Sequence, residues 1–142
     1  MQIIFGIIAE LISFLLCFFP NAAVTDIREN LDIKIKPYQI EFHEDTHGGF
    51  HGDGEEIIIF APTEKQTEKI KSQWSKTPIE NGIYSLIFAK EEYNGLELTK
   101  HIPNAKGYWL YKNRSSFANG YSYNFSFAFF DGEKVYYYEL DT

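Results

Sequence analysis

A single cysteine, Cys17, excludes an intrachain disulfide, and because it lies in an apolar run it leaves the rest of the chain without a thiol nucleophile. Positive charge is scarce as well. Thirteen lysines and arginines face twenty acidic residues, and a net charge of -7 excludes nucleic acid as a partner, since binding a phosphate backbone needs a basic face. From residue 37 to residue 64 there is no lysine or arginine at all. The chain also lacks a serine-nucleophile motif, an internal repeat and a low-complexity tract. What is present is 142 residues, 44% hydrophobic and 18% aromatic, enough for one domain with its own core and too few for two.

Residues 1–19, MQIIFGIIAELISFLLCFF, are almost wholly apolar and end at Pro20. They predict an apolar N-terminal helix within a segment 1–23 that acts as a signal peptide or membrane anchor, with residues 2–19 meeting the membrane. Residues 24–142 then form a single domain. Glu10 interrupts the run, and Arg28, Lys34 and Lys36 follow it. The competing reading, a helix packed on a soluble domain, needs more covering surface than a chain of this size supplies. The expected location is therefore membrane-anchored or secreted, on the extracytoplasmic side.

The richest stretch in chemistry is EFHEDTHGGFHGDGEEIIIF, Glu41 to Phe60, which holds three of the four histidines. Ile40 and Phe42 alternate with Glu41, His43 and Asp45, as in a strand with one dry and one wet face. Ile57 to Phe60 form a continuous apolar run, as in a strand covered on both sides. Between them Gly48, Gly49, Gly52 and Gly54 predict a β-hairpin with a long glycine-filled loop. Three readings of that loop compete. His43, Asp45, His47, His51 and Asp53 are candidate ligand-binding residues, and Asp45, His47 and His51 a candidate set for a divalent metal, because imidazole and carboxylate suit zinc and its neighbours. A nest of glycine N–H groups would instead hold an anion, but Asp45, Asp53, Glu55 and Glu56 repel one. In the third reading the polar side chains only cap the turn or face water.

After Pro62, Thr63 and Gln66 have the spacing of a capping box, and Ile70 and Trp74 give the helix that follows a narrow apolar stripe. A second helix is expected from Thr77 and Pro78 to about Lys90, with Ile79, Ile83 and Ile87 on one face. Residues 24–36 read as a charged linker grading into a strand at Ile33 and Ile35, and residues 91–106 as a loop with a short strand near Leu96 and Leu98. From Gly107 the chain predicts a three-strand meander. In it Tyr121, Tyr123, Phe125, Phe127 and Phe129 share a face of the middle strand, which reads as core, and Asp131-Gly132 makes a two-residue hairpin turn before Val135 to Leu140. Strands, then helices, then strands argue an α+β fold: an antiparallel sheet of two N-terminal strands plus the C-terminal meander, with two helices on one face.

DTHGGFHGDG (Asp45 to Gly54), Gln73-Trp74 and the ending NFSFAFFDGEKVYYYELDT resemble a group of small uncharacterised bacterial proteins with a similar hairpin and a tyrosine-rich C-terminal strand. The resemblance covers most of the chain after residue 38 and implies export or membrane attachment, but no activity. Three function classes follow from the residues. The first is an exported or tethered binding module whose hairpin takes a divalent metal or a protein ligand. A metal-dependent hydrolase would use histidine beside carboxylate for acid–base work. An acidic immunity-type protein would neutralise a basic partner.

Overall fold

The computed structural model describes residues 21–48, 52–88, 106–115 and 124–142. The expected apolar helix of residues 1–19, the short strand near Leu96 and the tyrosines at 121 and 123 lie outside these residues. Among the described residues no helix is long and apolar enough to cross a membrane.

The domain opens on a helix where a linker was expected. Helix α1 (Ala22–Leu31) starts at Asn21, whose side chain accepts the Val24 N–H, and it buries Ala23, Ile27 and Leu31 on one face. Those residues recur every four positions, the spacing of a helical stripe. A boundary placed after Ala23 cuts this repeat and hides it. The helix ends at Asp32, which takes a left-handed conformation (φ 54°) and whose carboxylate is held 2.6 Å from the Lys69 ammonium. Extended chain then buries Ile33 and Ile35, and a 3-10 turn (Pro37–Gln39) leads into the sheet.

Strands β1 (Ile40–Asp45) and β2 (Gly54–Phe60) form the expected antiparallel hairpin. Helix α2 (Glu64–Gln73) starts with the expected capping box, in which Gln66 Oε1 accepts the Thr63 N–H and Thr63 Oγ1 accepts the Gln66 N–H. A two-residue strand β3 (Ser75–Lys76) follows, then helix α3 (Asn81–Phe88). This helix begins four residues later than Thr77 because Thr77 is tied to Gly107: its N–H donates to the Gly107 carbonyl and its hydroxyl oxygen accepts the Gly107 N–H. Strands β4 (Tyr108–Asn113), β5 (Phe125–Phe130) and β6 (Val135–Asp141) complete the chain.

All neighbouring strands are antiparallel, and the order across the sheet is β1-β2-β6-β5-β4-β3. The fold is therefore α+β with one antiparallel six-stranded sheet. Its C-terminal strand is central and pairs along its whole length with β2. The two expected helices, however, divide between the faces. Ile70 and Trp74 near the end of α2 pack with α1 against Ile58, Phe60, Ala128, Phe130 and Tyr137. Ile79, Ile83 and Ile87 pack on the other face, against Ile57, Ile59, Phe125, Phe127, Phe129 and Tyr138. Between α2 and α3 the chain runs along the sheet edge as β3, which lets it change sides. Cover on both faces explains why β5 is buried at every position and why the apolar run in β2 is unbroken. Phe125, Phe127 and Phe129 are core, as expected.

The turn between β5 and β6 is one residue out of the expected phase. The Asp131 N–H donates to the Lys134 carbonyl, so Gly132 (φ 106°) and Glu133 are the central pair. Asp131 instead uses its carboxylate to accept the N–H groups of Glu133 and Lys134.

Candidate functional site

The face beneath α1 is apolar along most of its length and turns polar where β1, β2 and β6 reach the glycine hairpin. On β2, Glu56 lies two residues before Ile58 and on the same side. On β6 the same alternation places Tyr137, Glu139 and Asp141 in one row. Glu56 and Glu139 are directly opposite each other, and both are nearly inaccessible, at 2% and 7% exposure. Residues paired across strands share a face, so these two carboxylates meet in the interior.

Strand β1 joins them through an irregularity. The register slips between Ile40 and Phe42, so Ile40 packs into the α1-side core and His43 and Asp45 come opposite Ile58 and Glu56. The wet face expected for His43 and Asp45 is therefore the rim of the polar cluster, while Phe42 lies on the opposite face, 38% exposed. A bulge inserts one residue and reverses the inside and outside of the strand beyond it. His43 Nε2 lies 2.8 Å from Glu56 Oε1.

Past β1 the chain folds back over the end of β6. Asp45 Oδ1 accepts the backbone N–H of His47 at 2.9 Å and lies 2.7 Å from its ring Nδ1. Gly54 makes this possible, since a Cβ there would come within 2.6 Å of the His47 backbone. Gly54 is paired with Asp141, so the close approach sets His47 over Asp141, with Nε2 3.3 Å from Asp141 Oδ2. That nitrogen is buried and, among the described residues, has this carboxylate contact but no hydrogen bond.

Arg114, just past β4, binds Glu139 Oε1 at 2.9 Å and Asp141 Oδ1 at 2.7 Å. From α1, Asn30 donates to the Tyr137 hydroxyl oxygen at 2.7 Å and to Glu139 Oε2 at 3.0 Å, and Tyr137 donates to the same Oε2. Ser126, directly opposite Glu139 on β5, has a buried hydroxyl oxygen with no hydrogen-bond partner among the described residues.

With Asp26, carried by α1 and near enough to Glu56 and Asp45 to perturb them, five carboxylates (Asp26, Asp45, Glu56, Glu139, Asp141) share the cluster with Arg114 and two histidines. Burial first, then the charges of Asp26, Glu139 and Asp45, push the Glu56 carboxyl up to about 8. Burial also raises Asp26 and Glu139, each with help from neighbouring carboxylates. Burial works against the charged form of His47 too, but its bond to Asp45 and the charges of Asp45, Asp141 and Glu139 outweigh it and raise the imidazole above 6.5. Asp45 is lowered: burial opposes this, and the two His47 bonds overcome it.

Among the described residues two groups have donor atoms close enough together to hold one ion each: His43, Asp45 and Glu56, and His47, Glu139 and Asp141, each set within 4.8 Å. Of the residues expected from the sequence, the fold brings His43, Asp45 and His47 together. His51 lies outside the described residues, and Asp53 is exposed and joins neither group. Glu56, Glu139, Asp141 and Arg114 were not anticipated. The period-two row Tyr137, Glu139, Asp141 was the available signal, but only the pairing of β6 with β2 says what it faces. No protein-family model, no curated protein and no solved structure matches this chain.

Proposed function

We propose that the chain is a divalent-cation-binding domain whose ion is held by His47 Nε2 and the carboxylates of Glu139 and Asp141. The observation that carries this reading is the His47 ring, with Nδ1 engaged by Asp45 and Nε2 buried, without a hydrogen bond among the described residues, and 3.3 Å from Asp141 Oδ2. A ligating histidine is commonly oriented by a carboxylate on its other nitrogen. Asp45 is then a positioning residue. One imidazole and two carboxylates suit zinc or manganese better than calcium, which prefers more oxygen donors. Excess negative charge in a partly dry site adds a non-specific attraction for any cation.

The test is calorimetric titration of the full chain with zinc, manganese and calcium. Stoichiometric zinc binding is expected, lost in His47→Ala and in Asp141→Asn and retained in His43→Ala. Loss in His43→Ala with retention in His47→Ala would move the ion to the other group and overturn the assignment.

A metal-dependent hydrolase is the second reading, favoured by a carboxyl raised to about 8 beside His43. Near neutrality Glu56 keeps its proton and can give it to a leaving group. It predicts slow hydrolysis of nitrophenyl phosphate or acetate by the zinc-loaded chain, abolished in Glu56→Gln with zinc binding intact. The membrane tether, extracytoplasmic placement and kinship with the small bacterial hairpin proteins belong to the proposal too; their support is the apolar run of residues 2–19 and the DTHGGFHGDG sequence. An immunity-type role has only acidity behind it.

A further inference from the structure

At the far end of the sheet from the carboxylate cluster, a cleft of about 390 Å³ opens between the end of α2, β3 and the β5–β6 turn. Three lysines line it, Lys71, Lys76 and Lys106, in a protein that is otherwise acidic. We propose that this cleft binds a small organic anion of the phosphate-monoester type, with the lysines on the charged group and Tyr108 and Phe130 against its apolar body.

The mounting of the lysines argues for a shaped site. Lys76 and Lys106 flank the residues Thr77 and Gly107, which are joined by two hydrogen bonds, 3.1 and 3.3 Å. Gly107 lies so close to β5 that a Cβ would come within 2.0 Å of the Phe130 carbonyl oxygen, so this junction cannot drift outward without losing its packing. Lys76 is paired across the strands with Tyr108, and its ammonium lies 5.7 Å from the centre of that ring. Lys71 is carried by the last turn of α2, next to Trp74, which is buried in the core.

Among the described residues no carboxylate forms an ion pair with any of the three lysines. Asp131, the one acid in the lining, already accepts the N–H groups of Glu133 and Lys134 and the hydroxyl of Tyr136. Like charges gathered on rigid mounts repel one another, and a dianion removes that cost. The neighbouring cleft of about 380 Å³ beside α2 is also lined by three lysines, Lys34, Lys65 and Lys69, but there Lys69 is bound to the Asp32 carboxylate and no aromatic ring lines the wall. Lys65 in that second cleft serves as a control with the same charge on the same helix.

The test is titration of the full chain with phenyl phosphate and with inorganic phosphate at low salt, followed by calorimetry and by tyrosine and backbone NMR shifts. Saturable binding of phenyl phosphate is expected, tighter than that of inorganic phosphate, with shifts centred on Tyr108 and Gly107. Lys76→Gln should weaken it about tenfold, the loss of one charge-assisted contact, and Lys65→Gln should leave it unchanged. Circular dichroism checks that each variant folds. Equal weakening by Lys65→Gln would reveal diffuse surface attraction, and no saturation in the millimolar range would exclude a site; either result overturns the proposal.

Discussion

Replacing Glu56 by glutamine should remove part of the pH dependence of stability. Glu56 is 2% exposed, and its folded-state pKa, about 8, stands above the unfolded value of 4.5. Below 4.5 the carboxyl is protonated in both states and imposes no penalty. Between 4.5 and about 8 the unfolded chain releases the proton and the folded chain keeps it, so stability falls with rising pH, and above about 8 the loss is complete. At 1.36 kcal/mol per unit the ceiling is roughly 5 kcal/mol. Wetting at the rim, where His43 and Asp45 reach solvent, brings the expected loss to about 2–4 kcal/mol, because the effective dielectric there exceeds that of a dry core. Glutamine keeps the size and an acceptor oxygen but cannot ionise. The variant should therefore lie within about 1 kcal/mol of the parent at pH 5 and be the more stable protein at pH 8. Urea unfolding in the presence of a chelator, read through the buried Trp74 and Trp109, measures both profiles. A residual slope in the same direction is expected from Asp26, Glu139 and His47, whose raised pKa values also favour the proton-bound folded state. Asp45 is lowered, so its contribution is present above 3.8 and lost as pH falls. Parallel profiles for the two proteins would refute the buried, uncharged Glu56.

Three other outcomes are expected. Gly107→Ala drives a methyl group against the Phe130 carbonyl and the Phe129 ring and should cost at least about 2–3 kcal/mol, measured by the shift in urea midpoint. A chain beginning at Val24 should be about 1–2 kcal/mol less stable than one beginning at Asn21, having lost the Asn21 cap and the buried Ala23; equal melting behaviour would show that the first turn of α1 contributes nothing. Asp45→Asn should move the His47 titration, followed by NMR of the ring protons, down from its raised position, and should weaken zinc binding about tenfold or more through the misoriented ring.

Much of the fold was legible because it rests on short-range rules. The capping box at Thr63, the hairpin flanking the glycine loop and the buried stripe of β5 each depend on a few adjacent residues. What was missed depended on more distant chain. Helix α1 escaped because the charged residues Asp26, Arg28 and Glu29 dominate its composition, while the Ala23, Ile27, Leu31 repeat straddles an assumed boundary. The late start of α3 follows from Thr77 pairing with Gly107, thirty positions away. Placing both helices on one face failed for a related reason: period-two patterning tells which residues are buried, but β2 and β5 are buried on both sides, and only the path of β3 along the sheet edge decides which helix covers which side.

The site repeats this division between local and distant information. His43, Asp45 and His47 could be grouped from their spacing alone, because alternation and the turn keep them together. Their partners could not. Glu139 is nearly a hundred residues away, and it reaches Glu56 only because the last strand enters the middle of the sheet beside β2 and does not extend the meander outward. That insertion also delivers Asp141 beneath His47, through its pairing with Gly54. A one-residue slip of β6 would turn Tyr137, Glu139 and Asp141 to the α3 face and Tyr136, Tyr138 and Leu140 inward. The register is held against that slip because it would bury three polar side chains among Phe125, Phe127 and Phe129 and leave Arg114 without either carboxylate. The apolar pattern that fixes the core therefore also fixes the geometry of the polar cluster, and the cluster's placement needs no added ion to explain it. A cation bound at His47 would find its carboxylates already positioned by the sheet, so loading it should change the stability and titration of the cluster while leaving the strand pairing, read by amide exchange in β2 and β6, unaltered.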